Sequence, residues 1–219
     1  MSGILIMAKA PRPGEVKTRL EPLLGRDRCA QLQAELISHT ARWAVNATPR
    51  TWLAFTPPRA RGELAPLLPG RVSLFPQAPG NLGTRLHDAT HRIGREHSGP
   101  LIVIGTDSLL LGPDHVAAAE RELADGCDAC LVPALDGGYA LIALVRPAPE
   151  DFAIHPSAWG GPHVLSLTLA ALERARLTTA LLEPIADLDT PADALRLREH
   201  PRCPAAIRSV LTPRRAEAA

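Results

Sequence analysis

The feature that most constrains this chain is an alternation. Short apolar runs at 3–8, 50–55, 71–75, 100–105, 128–133, 139–145 and 179–183 are separated by helical patterns at 27–46, 60–68, 82–97, 114–124, 162–176 and 191–199. Strands that alternate with helices in this way build a parallel or mostly parallel sheet covered on its faces. Leu101-Ile102-Val103-Ile104 is apolar without interruption, as a strand buried on both faces should be. Thr190-Pro191 supplies an N-cap followed by proline at the first helical position, which predicts a helix start there. The 219 residues suffice for one α/β domain with a sizeable core. The 22 prolines are scattered between elements and form no linker. The expectation is therefore one domain over 1–203, followed by a loosely held C-terminal tail over 204–219.

In an open sheet of this kind, ligands sit at the carboxyl ends of the strands. The first apolar run ends in Lys9-Ala10-Pro11-Arg12-Pro13-Gly14-Glu15-Val16-Lys17-Thr18-Arg19-Leu20. Lys9, Arg12, Lys17 and Arg19 crowd this loop. Pro11 and Pro13 stiffen it, and Gly14 allows the backbone to approach a ligand closely. The loop reads as a polyphosphate cradle, with a solvated basic loop as the plainer alternative. Gly14-Glu15-Val16-Lys17-Thr18 echoes a P-loop, but that motif needs glycines where Pro11 and Val16 stand.

Three acidic blocks stand out, two where strands end and one just before a helix. Asp107, in Gly105-Thr106-Asp107-Ser108, follows the run 100–105. A carboxylate there can hold Mg²⁺ or Mn²⁺ on a substrate phosphate, because hard cations take oxygen ligands; it can equally cap a turn or the next helix. Asp136-Gly137-Gly138-Tyr139 can bring backbone close to a ligand or close a hairpin between 128–133 and 139–145, and these roles are compatible. Asp187-Leu188-Asp189 places two carboxylates on one face of an extended segment, able to join Asp107 around a metal or to favour the N-terminus of the next helix.

Charge and composition exclude several classes. Lys plus Arg number 24 against 23 Asp plus Glu, for a net charge of +1, so the strong basic excess of a nucleic-acid binder is missing. Aromatic residues, at 3%, are too few for base-stacking platforms. No apolar run approaches the ~20 residues of a membrane span, and the first is too short for a signal peptide, so a cytoplasmic protein is expected. Cys127-Asp128-Ala129-Cys130 has metal-ligand spacing, but no second pair completes a zinc site; Cys130 reads as a buried strand residue. His87-Asp88-Ala89-Thr90-His91 resembles H-E-x-x-H with the shorter Asp in place of Glu and no third ligand in view.

Taken in order, A-K-A-P-R-P-G-E-V-K-T-R-L, Gly80-Asn81-Leu82-Gly83-Thr84-Arg85-Leu86, G-T-D-S, P-A-L-D-G-G-Y, Trp159 and D-L-D-T-P-A-D resemble a bacterial glycosyltransferase-like family. That family is often encoded beside radical-SAM/selenodomain proteins and labelled arsenosugar biosynthesis glycosyltransferase. The resemblance covers residues 3 to about 199. It implies a single-domain GT-A fold, the nucleotide-diphospho-sugar transferase superfamily, a three-layer α/β sandwich with a mostly parallel sheet. It implies an enzyme: a metal-dependent glycosyltransferase or nucleotidyltransferase acting on a nucleotide or nucleotide-sugar and a small-molecule acceptor. The nucleotide and its phosphates would be bound by Lys9, Arg12, Gly14, Lys17, Arg19 and Arg85. The metal, Mg²⁺ or Mn²⁺, would be held by Asp107 and Asp189. Gly137, Gly138, Tyr139 and Trp159 would line an acceptor pocket, and Lys17, Asp107 and Asp136 would carry the chemistry, with Asp136 as general base on position alone. Leu109, Ala140, Asn81 and Gly160-Gly161 depart from the family pattern and would shape the acceptor pocket. A catalytically degenerate nucleotide-binding protein on the same fold is the non-enzymatic alternative.

Overall fold

Each of the seven apolar runs is a strand. The computed structural model describes residues 1–212. The chain order is β1 (Gly3–Lys9), α1 (Glu21–Leu24), α2 (Arg26–Ala47), β2 (Thr51–Thr56), α3 (Arg61–Leu64), β3 (Ser73–Pro76), α4 (Leu82–Gly94), β4 (Leu101–Ile104), α5 (Pro113–Ala124), β5 (Ala129–Pro133), β6 (Tyr139–Leu144), α6 (Val164–Arg174), β7 (Thr179–Leu181), α7 (Pro191–Arg198) and α8 (Ala205–Leu211). The helix expected over 60–68 divides, because Pro66 lacks an N–H; α3 gives way to a 3₁₀ turn over Ala65–Leu67. Thr190 caps α7 as its sequence predicts: its hydroxyl accepts from Asp193 N at 3.3 Å, and the Asp193 carboxylate accepts from Thr190 N at 2.9 Å.

The strands form one sheet in the order β3-β2-β1-β4-β6-β5-β7. Strand β6 runs antiparallel to both β4 and β5, and the other pairs are parallel. The Asp136-Gly137 block is thus the turn of the β5–β6 hairpin, and Cys130 is buried in β5.

Period-two alternation in the strands divides the core into two. Ile4 and Ile6 of β1 join Leu53, Phe55, Ile102 and Ile104 on one face, beneath Ile37 and Ala41 of α2 and Val116 and Ala119 of α5. Leu5 joins Trp52, Val103, Leu131 and Ile142 on the other, beneath Leu86 and Ile93 of α4 and Leu172 of α6. The result is the three-layer α/β sandwich with a mostly parallel sheet.

A third cluster corrects the expected tail. Residues 205–211 do not hang loosely: they form α8, whose Ile207, Val210 and Leu211 are buried with Leu20, Leu32, Leu188 and Leu197. Three apolar residues at helical spacing have a hydrophobic socket between α1, α2 and α7, and its burial holds the segment. The rest of that expected tail, 213–219, lies outside the described residues. Among the described residues, no helix is long and apolar enough to cross a membrane.

The chain passes from β1 outward through β2 to β3, then returns to lay β4 on the other side of β1. This reversal of strand order between β1 and β4 opens a crevice at their carboxyl ends. Lys9 closes β1 there, and Gly105-Thr106-Asp107 follow β4 there.

Candidate active site

Lys17 is the centre of that crevice. Its backbone is left-handed, φ 50°, a conformation that costs a non-glycine residue energy and persists where its surroundings hold it. Its side chain, only 5% exposed, reaches across the crevice to Asp107 Oδ1 at 2.7 Å and Asp189 Oδ1 at 3.5 Å. The ammonium also donates to the carbonyl of Leu188 at 2.7 Å. Three segments distant in sequence are thereby tied together: the loop after β1, the end of β4 and the segment before α7. The backbone reinforces the tie, since Leu188 N donates to the Asp107 carbonyl at 3.0 Å. Arg19 pairs with the second oxygen of Asp189 at 3.3 Å.

Two cavities open from this point and share Asp107 and Asp189 in their walls. One, of about 430 Å³, carries Lys9, Lys17, Arg19 and Arg85 in its walls. The other, of about 290 Å³, carries Asp136, Asp187, Gly138, Tyr139 and Trp159. Arg12 stands apart: its guanidinium makes a two-pronged ion pair with Glu63, at 2.7 and 3.0 Å, and does not line either cavity. Lys9 donates to the Glu15 carbonyl at 2.7 Å, and Gly14, at φ 75°, makes the bend that its lack of a side chain permits. Arg85 is braced by its Nε, which donates to the Gly80 carbonyl at 2.8 Å.

In the β5–β6 turn, Asp136 Oδ1 accepts from Gly138 N at 2.9 Å. Gly137, at φ 92°, packs so closely on Pro162 that a Cβ there would lie 2.0 Å from the Pro162 carbonyl oxygen. The contact sets the 159–163 segment, and Trp159 with it, against the cavity. Trp159 also lies on Gly83, where a Cβ would meet its Nε1 at 2.8 Å. Burial pushes the Tyr139 phenol well above its ordinary value.

Sequence reading passed over two side chains and underweighted a third. Gln77 spends both amide hydrogens on the carbonyls of Ala54 at 2.9 Å and Ala8 at 3.2 Å, and Gln33 spends its amide on Thr106 Oγ1 at 3.2 Å and the Lys9 carbonyl at 3.3 Å. Both line the basic cavity and brace the strand ends that shape it. Gln33 had a signal: it is a polar residue on the buried stripe of α2, between Leu32 and Leu36. Gln77 carries none beyond its place just past β3.

The third is Asp187, in the wall of the smaller cavity, where it accepts from the Ser108 hydroxyl. Burial pushes its carboxyl up to about 6; the charges of Asp136, Asp107 and Asp189 add to the effect and the Ser108 hydrogen bond opposes it. Folding therefore favours the protonated form. The stability this group contributes is present at and below its ordinary value of 3.8 and is lost as pH rises through 6. At ~1.4 kcal/mol per pH unit the loss approaches about 3 kcal/mol. Asp187→Asn is expected to flatten the pH dependence of urea unfolding between pH 4 and 7 in metal-free buffer, and to be the more stable protein at pH 7. Equal slopes for the two proteins would contradict this.

Among the described residues, no cluster of three or more His, Cys, Asp or Glu side chains is placed to hold a metal ion. The donor set at the crevice fits a different arrangement. Asp107 and Asp189 converge on one positive charge, that of Lys17, and the Asp107 side chain remains 55% exposed. Two hard oxygen donors with an open side suit a divalent cation that takes its other ligands from substrate phosphates.

The family described as "uncharacterized protein conserved in bacteria (DUF2064)" matches residues 25–160. No curated protein matches the chain. A structure from Desulfovibrio desulfuricans G20, provisionally named a nucleotide-diphospho-sugar transferase, is 25% identical with a TM-score of 0.80 over 96% of each chain. CMP:2-keto-3-deoxy-manno-octonic acid synthetase complexed with CTP is 14% identical, with a TM-score of 0.58 over 91% of this chain and 99% of that one. Molybdopterin-guanine dinucleotide biosynthesis protein A from Archaeoglobus fulgidus is 14% identical, with a TM-score of 0.55 over 90% and 96%. The fold is that of the nucleotide-diphospho-sugar transferases.

Proposed function

The chain belongs to the DUF2064 family, and from that premise we propose that it is a metal-dependent transferase using a nucleotide-activated donor, catalysing glycosyl transfer from an NDP-sugar to a small acceptor. One observation carries the reading: a cavity walled by cations and a cavity walled by carboxylates meet at Asp107 and Asp189, at the switch point of the sheet. The diphosphate of the donor lies in the first, its oxygens facing Lys9, Lys17, Arg19 and Arg85. The sugar carbon lies at the junction, and the acceptor enters from the second.

In the reaction an acceptor oxygen bonds to the sugar carbon, the bond from that carbon to the diphosphate oxygen breaks, and the acceptor proton moves to a base. Asp136 is that base: one oxygen is held by Gly138 N and the other is left to take the proton. Charge that grows on the departing diphosphate is met by Lys17 and Arg19, already fixed in place before reaction. Mg²⁺ or Mn²⁺ on Asp107 and Asp189 would add Lewis-acid stabilisation of the same leaving group. The similarity to the Desulfovibrio protein over nearly the whole of both chains supports an activated-sugar donor, and the resemblance to glycosyltransferases labelled for arsenosugar biosynthesis supports transfer of the sugar itself.

A second reading, nucleotidyl transfer, is favoured by one feature. Four basic side chains in a single cavity match a triphosphate, whose pyrophosphate would leave on attack at the α-phosphate by a phosphorylated acceptor. Thermal shifts with the four NTPs and common NDP-sugars, each with and without Mg²⁺ or Mn²⁺, separate the two. Metal-dependent stabilisation by an NDP-sugar but not by its NTP supports glycosyl transfer, and the reverse supports nucleotidyl transfer. No response to any of them removes the transferase reading and leaves a degenerate relative. Saturation at ~100 times Kd should add about 2.7 kcal/mol, several degrees in Tm at this size. Lys17→Met is expected to weaken donor binding by ~1.5–3 kcal/mol, the range for a hydrogen bond to a charged group; calorimetric titration with the responding donor measures it. Unchanged affinity would place Lys17 outside the donor site.

A further inference from the structure

The charges of the crevice are sorted. Apart from the shared Asp107 and Asp189, the larger cavity carries Lys9, Lys17, Arg19, Arg85 and Glu15. The smaller carries Asp136 and Asp187, and none of the described residues lining it is Lys, Arg or His. The cations nearest the junction are already committed: Lys17 to Asp107 and Asp189, and Arg19 to Asp189. Asp136 and Asp187 are held instead by neutral donors, the Gly138 amide and the Ser108 hydroxyl. Two carboxylates thus stand in the wall of this cavity without a counter-charge among the described residues, and low-dielectric walls of one sign focus their field. Apart from Ser108, the rest of the wall is glycine, apolar or aromatic, including Met7, Leu86, Val103, Tyr139 and Trp159.

We propose that the acceptor taken by this cavity is a hydroxyl-bearing small molecule without an anionic group, and that molecules carrying a carboxylate or phosphate are rejected. This rests on the transferase reading above and sharpens it. A hydroxyl can donate to Asp136 or Asp187 and leave both satisfied, whereas an anion would meet two like charges, with no Lys, Arg or His among the described residues lining the cavity to receive it. C–H faces of a polyol or sugar suit the apolar wall and the rings of Tyr139 and Trp159. Each uncompensated carboxylate changes the local concentration of a small ion by on the order of fivefold at ~8 Å and an effective dielectric constant of ~40. Against two of them, discrimination of at least about tenfold is expected.

The test has two arms. In the first, the protein is given the donor that thermal shift identifies, with Mg²⁺ or Mn²⁺, and acceptors matched in skeleton but not in charge: glucose, glucosamine, glucuronate and glucose 6-phosphate. Glycerol, glycerate and glycerol 3-phosphate form a second set, and products are read by mass spectrometry. The neutral member should be consumed at least about tenfold faster than its anionic partners. Equal or faster use of the anionic members overturns the inference while leaving the transferase reading intact, and so does exclusion of the amine, because the field that repels an anion attracts an ammonium; absence of any nucleotide binding defeats that reading first. The second arm needs no acceptor. Fluorescence of Trp159, isolated as the difference between the wild type and Trp159→Phe, is quenched by caesium, iodide and acrylamide at low ionic strength. With each ion referred to its quenching of free tryptophan, caesium should quench at least about tenfold more than iodide, and Asp136→Asn should narrow that ratio by about tenfold or more, since a charge that enriches one ion about fivefold depletes the other by the same factor. Equal quenching by the two ions, or a ratio indifferent to Asp136→Asn, overturns the inference whether or not an acceptor has been found.

Discussion

Asp107→Ala is expected to lower metal-dependent consumption of the nucleotide donor by at least ~10²–10³-fold, the scale on which a preorganised electrostatic group acts at a reacting centre. Asp107 is shared by the two cavities and is the carboxylate nearest the Lys17 ammonium, at 2.7 Å. Its removal takes away one of two converging oxygen donors and releases Lys17 from the position in which it would face the diphosphate. The fold should survive. The side chain is 55% exposed, and the hydrogen bond from Leu188 N to the Asp107 carbonyl is a backbone contact that the substitution leaves in place. Loss of activity with Tm held within a few degrees of the wild type is the expected pair of results. Retention of full metal-dependent activity would mean that the chemistry lies elsewhere. Asp107→Asn refines the test: it keeps shape and a hydrogen-bond acceptor for Lys17 but removes the charge, so it should be nearly as inactive if the charge is what matters.

Gly137→Ala should be the most damaging change of a single methyl group near the site. The residue sits at φ 92°, and its new Cβ would fall 2.0 Å from Pro162 O and 2.7 Å from Pro162 C. Both obstacles are backbone, so no rotamer change relieves them. Left-handed strain of ~1–3 kcal/mol adds to overpacking of ~1–3 kcal/mol, for a total of about 3 kcal/mol. At this chain length that lowers Tm by roughly 6–12 °C. A functional consequence should accompany it. Gly137 O accepts from Leu165 N at 2.9 Å at the start of α6, so relief of the clash moves the 159–163 segment and Trp159 away from the acid-walled cavity. Use of the acceptor should fall more than nucleotide binding does. Gly138→Ala is the control: its Cβ would meet only the Asp136 carboxylate, at 3.2 Å, and a change in Tm equal to that of Gly137→Ala would refute the account.

Local pattern was enough to read the strands. Leu101–Ile104 has no polar interruption because both faces of β4 are covered, and Thr190-Pro191 starts α7 because the cap satisfies orphan amides regardless of what the helix packs against. The same locality explains the errors. Pro66 broke a helix that the apolar pattern alone continued. Residues 205–211 read as tail because nothing nearby in sequence reveals the socket formed by α1, α2 and α7. Arg12 and Lys17 look alike in the first loop, yet Arg12 turns out to Glu63, 51 positions away, and Lys17 turns inward to Asp107 and Asp189.

Alternation, capping and turn chemistry act over a few residues, so the sheet, its mostly parallel character and the basic and acidic blocks beside its strands were legible along the chain. How those blocks are used depends on the folded arrangement. The reversal of strand order between β1 and β4 brings Lys17, Asp107 and Asp189 to one point and leaves Asp136 and Asp187 on the far side without a counter-ion among the described residues. Which charges face each other depends on pairing across more than 80 residues, and Coulomb interactions follow distance in space, to which the order of residues along the chain is only a partial guide.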